Sequence, residues 1–228
     1  MIPKILHHIW IGPHPAPVHW MNTWKENHPT WEYKLWDNHS LGTFNFKNAE
    51  LIHDFLKLKK YSGVANLMRY EILYRYGGFI PEADSICLNP VDDLLEEGIE
   101  GITVYENEKI YGDKKVVSPI LASIPKYDFL GFLIEKFYKE RKIIKKANQR
   151  ERKILTSAYI SGNQALPYLI EQFEPNLLIL PSNCFIGNHL TNIRGCYSSN
   201  PKYNKRYSAQ FWGTGRKPEG YNPYKNEQ

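Results

Sequence analysis

Residues 61–88 read YSGVANLMRYEILYRYGGFIPEADSICL. Val64, Leu67, Met68, Ile72 and Leu73 recur three and four apart, the period of one helix face, so residues 61–76 read as an amphipathic helix. Ser62 stands where a side-chain N-cap is expected. Gly77 and Gly78 close the helix, because glycine reaches the left-handed conformations of a helix end and lets backbone come close to a neighbour or a ligand. The run that follows, FIPEADSICL, has the apolar content of a buried strand, yet Glu82 and Asp84 interrupt it. Acids two apart face the same way only on a regular strand, and a local break lets both reach one cation. Carboxylate oxygens suit Mg²⁺ or Mn²⁺, ions usually held by one or two protein carboxylates plus substrate phosphate oxygens. The other reading of the pair is a solvated turn leading to Cys87.

On the N-terminal side, Lys4–Gly12 is a short β-leaning run closed by Gly12-Pro13, followed by Pro13, Pro15 and Pro17, which forbid regular structure. Val18–Asn27 reads as a short helix with Trp20, Met21 and Trp24 at helical spacing, and Trp31–Trp36 alternates as a second strand. On the C-terminal side the pattern predicts a helical turn at DDLLEE, strands at 102–105, 116–122 and 177–181, and helices at 126–147 and 162–173. Strands alternating with helices predict an α/β fold: a mixed, mostly parallel central sheet with helices on both faces, ligands entering at the carboxyl ends of the strands. Residues 1–212 read as one domain. Residues 213–228 lack an apolar period and read as a C-terminal tail.

Composition narrows the classes. The 228 residues carry 29 Lys+Arg and 24 Asp+Glu, a net +5, with 42% apolar residues, which excludes fibrous and disordered chains. The charge is too modest and too scattered for a nucleic-acid binder and suits a phosphorylated small ligand or an anionic lipid surface. Basic residues concentrate in 136–153, either a solvated helix face or a face that touches a membrane or an acidic acceptor. Cys87, Cys184 and Cys196 have neither disulfide-framework nor zinc spacing. The N-terminus lacks a signal-peptide core and no stretch of eighteen apolar residues occurs, so a cytoplasmic protein is expected, with at most peripheral membrane contact.

Three segments occur in a telling order: IPKILHHIWIG at the start, SGVANLMRYEILYRYGGFIPEADSICLNPVDDLL in the middle and YSAQFWG near the end. Together they resemble glycosyltransferase family 32, the DXD-type sugar-nucleotide transferases, which are distantly similar to the catalytic core of the large clostridial glucosylating toxins. The resemblance is strongest over residues 1–12 and 61–95 and returns around 207–213. It implies a GT-A fold, a divalent cation (Mn²⁺ or Mg²⁺), a UDP- or GDP-linked sugar donor, a glycan or lipid-linked acceptor, and retention of anomeric configuration. Matching residue by residue, it implies Asp84 as the direct metal ligand, Glu82 as the first acid of the motif near ribose and metal, and Arg69 near the donor sugar or diphosphate. It further implies Trp10, after Ile9 at the end of the first strand, on the nucleotide base; Ala83 and Gly78 along the donor; and Gln210 and Trp212 on a loop closing over donor and metal. His7 and His8 are read as structural.

The chain departs from the family pattern at Ala65-Asn66, where a serine-aspartate is usual, at Glu82 in place of Asp, and at Gln210 in place of His. An amide still hydrogen-bonds sugar hydroxyls and Glu still ligates a cation. Two functions are therefore carried forward: a metal-dependent transferase using Asp84, Glu82 and Arg69, and a sugar-nucleotide-binding protein of the same fold with impaired catalysis.

Overall fold

A computed structural model describes residues 1–112, 117–118, 121–150, 162 and 164–212; the tail at 213–228 and positions 116, 119 and 120 of the strand expected at 116–122 lie outside the described residues, while Val117 bridges Tyr105 and Ala122 begins a short strand. β1 (Ile5–Ile9), α1 (Val18–Asn27) and β2 (Glu32–Trp36) open the chain, α1 with the bounds its spacing predicts. Two helices that the sequence reading leaves out follow: α2 (Ser40–Thr43) and α3 (Ala49–Lys57). Then come α4 (Tyr61–Tyr76), β3 (Gly78–Phe79) and β4 (Ser85–Cys87). β5 (Gly101–Val104), α5 (Glu108–Tyr111), β6 (Ala122–Ser123), α6 (Asp128–Arg150), α7 (Leu166–Phe173), β7 (Leu177–Leu180) and β8 (Ser208–Gln210) complete the described order.

Six strands form one sheet in the order β2-β1-β3-β6-β5-β7. Pairing is parallel except on either side of β6, so five strands share a direction and β6 alone runs against them. The sheet separates two apolar cores. One gathers α3, α4, α6 and α7 around Phe55, Met68, Ile72, Leu133 and Phe137; the other gathers Leu6, Trp24, Phe79, Val104 and Phe185. β1 alternates between them, His7 and Ile9 toward the first, Leu6 and His8 toward the second. This is the mixed, mostly parallel α/β arrangement that the pattern predicts, helices on both faces.

α4 runs through the first core. Ten of its sixteen residues are buried, so the expected single stripe widens to most of the circumference, as in a helix enclosed by others. Ser62 is not its cap: the helix starts one residue earlier, Lys60 holds the cap position and no side chain caps it, because the turn is closed by backbone bonds from Gly63 and Val64 to the Lys60 carbonyl. Gly77 and Gly78 both have positive φ, 64° and 97°. A Cβ on Gly78 would lie 2.5 Å from the Ile5 carbonyl, so the close approach at this glycine is to backbone at the amino edge of the sheet and not to a ligand.

The run 79–88 is not one strand. β3 ends after two residues, the chain turns through Ala83-Asp84, and β4 joins β8 in a separate two-stranded ribbon. The Ser85 N–H and hydroxyl both donate to the Glu82 carbonyl, at 3.1 and 2.6 Å. That turn breaks the strand alternation that would otherwise send both acids the same way. The helix expected at 162–173 begins at Leu166, with Pro167 in its first turn, where a missing N–H costs nothing.

Candidate functional site

β1, β2 and β3 end at one edge of the sheet, and the chain leaving β3 carries Glu82, Ala83 and Asp84 there. Glu82 turns back onto α4: its Oε1 accepts from Arg69 Nη2 at 2.7 Å, Arg69 being 3% exposed and Glu82 about a third. The remaining guanidinium donors, Nε and Nη1, are buried without a hydrogen-bond partner among the described residues. Buried donors of a charged group left unpaired are costly unless something accepts from them, and a planar cation with free N–H groups suits phosphate or carboxylate oxygens. Asn66 lies three residues earlier on α4, on the same face as Arg69 and buried.

Asp84 is 4% exposed and turns the other way, toward the ribbon. Its Oδ1 accepts from the Gln210 amide at 2.5 Å, and its carbonyl accepts from the Phe211 N–H at 2.9 Å. The ribbon thus fixes Gln210 opposite Ser85. The ribbon is itself tied to α1, since Trp24 Nε1 donates to the Ser85 carbonyl and hydroxyl and Trp20 stacks on Phe211 at 5.1 Å. A narrow cleft between this ribbon and β5 is lined by Pro81, Glu82, Ser85, Val104 and Gln210.

Ile9 and Trp10 sit at the carboxyl end of β1. Ile9 is buried, while Trp10 is half-buried, its indole N–H donating to the His14 carbonyl at 2.7 Å. The indole is thereby oriented with part of its surface open. Trp212 donates to the Asn188 carbonyl at 2.9 Å and meets the His189 ring edge-on at 5.3 Å, and its backbone is left-handed, φ 58°. The structure therefore gathers Ile9, Trp10, Asn66, Arg69, Glu82, Ala83, Asp84 and Gln210 at one sheet edge. Trp212 hangs at the margin next to the ribbon, and Gly78 is left at the opposite edge.

A pair that the sequence reading missed adjoins Trp212. Glu106 Oε1 lies 3.3 Å from His189 Nε2 and accepts from the Tyr111 hydroxyl at 3.2 Å; both members of the pair are buried. Glu106 follows the carboxyl end of β5 by two residues, the signal that points to it. His7 and His8 are structural, as read. The Trp36 indole can only donate, so His7 Nδ1 must accept (3.1 Å) while Nε2 donates to the Gly77 carbonyl (3.0 Å), the bonding of a neutral ring. Burial accordingly pushes its pKa down to about 4.

Two carboxylates and an amide are donors of the kind a hard divalent cation takes, but Glu82 and Asp84 face apart, and Asp84 is met by the Gln210 amide N–H. Among the described residues no three His, Cys, Asp or Glu side chains cluster as a metal site; Glu82, Asp84 and Gln210 are the residues that would hold such an ion.

Residues 17–99 match the family described as glycosyltransferase sugar-binding region containing DXD motif. The chain is 26% identical over 145 residues to an uncharacterized glycosyltransferase of Acanthamoeba polyphaga mimivirus, covering 60% of this chain and 56% of that protein. It is 23% identical over 218 residues to inositol phosphoceramide mannosyltransferase 2 of Schizosaccharomyces pombe, covering 93% of this chain and 58% of the relative. It is 29% identical to mannosyltransferase 1 of the same series over 42% of this chain and 32% of that one. The chain spans between about a third and three fifths of the length of these relatives. Among solved structures, the PaToxG glycosyltransferase superposes with a TM-score of 0.52 at 13% identity, over 75% of this chain and 70% of that one, a likeness of fold.

Proposed function

We propose that this chain transfers a sugar from a UDP- or GDP-linked donor to a glycan or lipid-linked acceptor hydroxyl, with a divalent cation and with retention of configuration. The observation that carries the reading is Arg69: a fully enclosed guanidinium with two unpartnered nitrogens beside a turn that presents two acids. Breaking a sugar–phosphate bond leaves a diphosphate whose charge must be neutralised in a water-poor site. Arg69 binds that anion through Nε and Nη1, Asp84, Glu82 and Gln210 would hold the cation, Asn66 hydrogen-bonds the donor, and Trp10 offers a ring to the base. A bound Mn²⁺ or Mg²⁺ supplies Lewis-acid charge on the leaving group. Trp212 covers the donor and excludes water, which competes with the acceptor for the sugar. The mannosyltransferases among the relatives make GDP-mannose and a phosphoinositol-bearing lipid the first pair to try.

The test is transfer and hydrolysis of UDP- and GDP-sugars by the full chain with Mn²⁺. Product dependent on metal is expected, and intact donor throughout, from folded protein, rejects the enzyme. The second reading, a sugar-nucleotide binder, is favoured by Gln210 Nε2 donating to Asp84, which occupies an oxygen a metal would use. Calorimetric binding of UDP or GDP with metal but without turnover selects it. The free cysteines accord with the reducing cytoplasmic setting we assign to either activity.

A further inference from the structure

α6 carries a second surface that the donor site does not use. Tyr138, Lys139, Lys142, Ile143 and Lys146 lie at helical spacing and are all exposed, Ile143 at 71%. An isoleucine this exposed, flanked by lysines, is not explained by core packing, since Leu133, Phe137 and Ile144 already fill the inner face. The acids of this face are taken: Glu50 pairs with Arg141 and Lys145, Glu135 with Lys47, and Glu140 with Lys136. Lys139, Lys142 and Lys146 form no ion pair among the described residues.

The position of this stripe follows from helix contacts. Tyr74 lies against Gly131 and Tyr70 stacks on Phe137 at 5.9 Å, so α4 and α6 are antiparallel. Equal rise along both then sets Ile143 level with Val64, above Asn66 and Arg69. Tyr61, at the start of α4, rests against Gly12, two residues beyond Trp10. The stripe therefore stands at the same end of the molecule as the candidate donor cleft. α3 runs alongside α6 in the same direction, Lys47 reaching Glu135 and Glu50 reaching Arg141 and Lys145. It ends there in Lys57, Leu58 and Lys59, all exposed. Five lysines and two aliphatic side chains share that end.

We infer that this end of α3 and α6 rests on an anionic lipid bilayer. Lysine ammonium groups reach the negative headgroups while their stems, Leu58 and Ile143 enter the interfacial layer, the combination used by surface-lying amphipathic helices. This goes beyond the proposed transfer reaction and deepens its acceptor: a protein seated this way holds its cleft end at the lipid surface, where a lipid-linked hydroxyl arrives by lateral diffusion. The binding itself does not require catalysis.

The experiment is sedimentation of the full chain with vesicles of phosphatidylcholine, with and without phosphatidylserine. Binding to the anionic vesicles only, weakening as salt is raised, is expected. The triple variant Lys139→Gln, Lys142→Gln, Lys146→Gln is expected to lower the partition coefficient on the order of a hundredfold. Lys136→Gln, whose lysine is paired to Glu140, should leave it within a factor of a few. UDP or GDP binding with metal should be the same in all three proteins, so that loss of nucleotide binding in wild type strikes the transferase reading and leaves this one standing. Equal binding to neutral vesicles, undiminished binding of the triple variant, or retention on an acidic polypeptide without vesicle binding overturns the inference.

Discussion

Arg69 and Glu71 sit two positions apart on α4, about 200° around the helix, and that angle sorts their roles. Glu71 turns to the start of α3, where it accepts from the Lys47 and Asn48 N–H groups at 2.6 and 2.8 Å, an anion at a helix N-terminus. Arg69 turns to Glu82. The sequence leaves both acids as partners for the arginine; only the helix phase relative to a turn thirteen residues away decides. The types of group in the site were thus legible, while their pairing was not, because pairing is set by backbone breaks such as the one at Ala83 that no side-chain pattern announces. Asp84→Asn keeps the shape and burial of its residue but removes the charge. Metal-dependent nucleotide binding is expected to disappear in calorimetry, while the urea-unfolding free energy stays within about 1 kcal/mol of wild type.

His8 is the second residue-scale case. It is fully enclosed, neither ring nitrogen has a partner, and burial pushes its pKa down to about 3. The unfolded chain binds a proton near pH 6.5 and the folded one does not, so stability rises with pH between the folded values of His7 and His8 and that point, and is lost as pH falls through the window. Each histidine contributes a slope of about 1.4 kcal/mol per pH unit between roughly pH 4 and 6. Urea midpoints taken across that range should show it. His8→Phe, which removes two buried nitrogens that have no partner among the described residues, should lower the slope by about 1.4 kcal/mol per pH unit without lowering stability at pH 7; an unchanged slope would refute the assignment.

At the scale of elements, local pattern succeeded where an element is long and self-contained. α1 and α4 have the bounds their spacing predicts, because ten or more residues set a phase. β3, with two residues, and β8, with three, carry no readable alternation; their pairing is imposed by neighbours. α3 has no counterpart in the sequence pattern read above, although Leu51, Ile52 and Phe55 form its buried stripe. The α4–β3 junction depends on Gly78 at φ 97°, where a Cβ would meet the Ile5 carbonyl. Gly78→Ala meets both the left-handed penalty and a backbone contact, so chemical denaturation should report a loss of about 2–4 kcal/mol.

For the whole molecule, the sheet divides two cores and the candidate cleft opens where strands from both stop. A ligand seated there touches α4 from the first core and the β4–β8 ribbon, tied to α1, from the second. Occupancy at a hundredfold over Kd adds about 2.7 kcal/mol, which for a chain of this size corresponds to a rise of about 5–10 °C in the unfolding midpoint. Scanning calorimetry with Mn²⁺ plus UDP or GDP should show that rise, and either component alone should not.

The ribbon joining Ser85 to Gln210 also sets a timetable. Its two strands are separated by more than a hundred residues of chain, so its closure is entropically late compared with helix pairs near in sequence. Until residues 208–210 have docked, Asp84 faces water and the acidic turn has only one of its flanks. A newly made chain would thus acquire its folded helices well before its candidate site is complete, and ligand affinity should be the slowest signal to return on refolding.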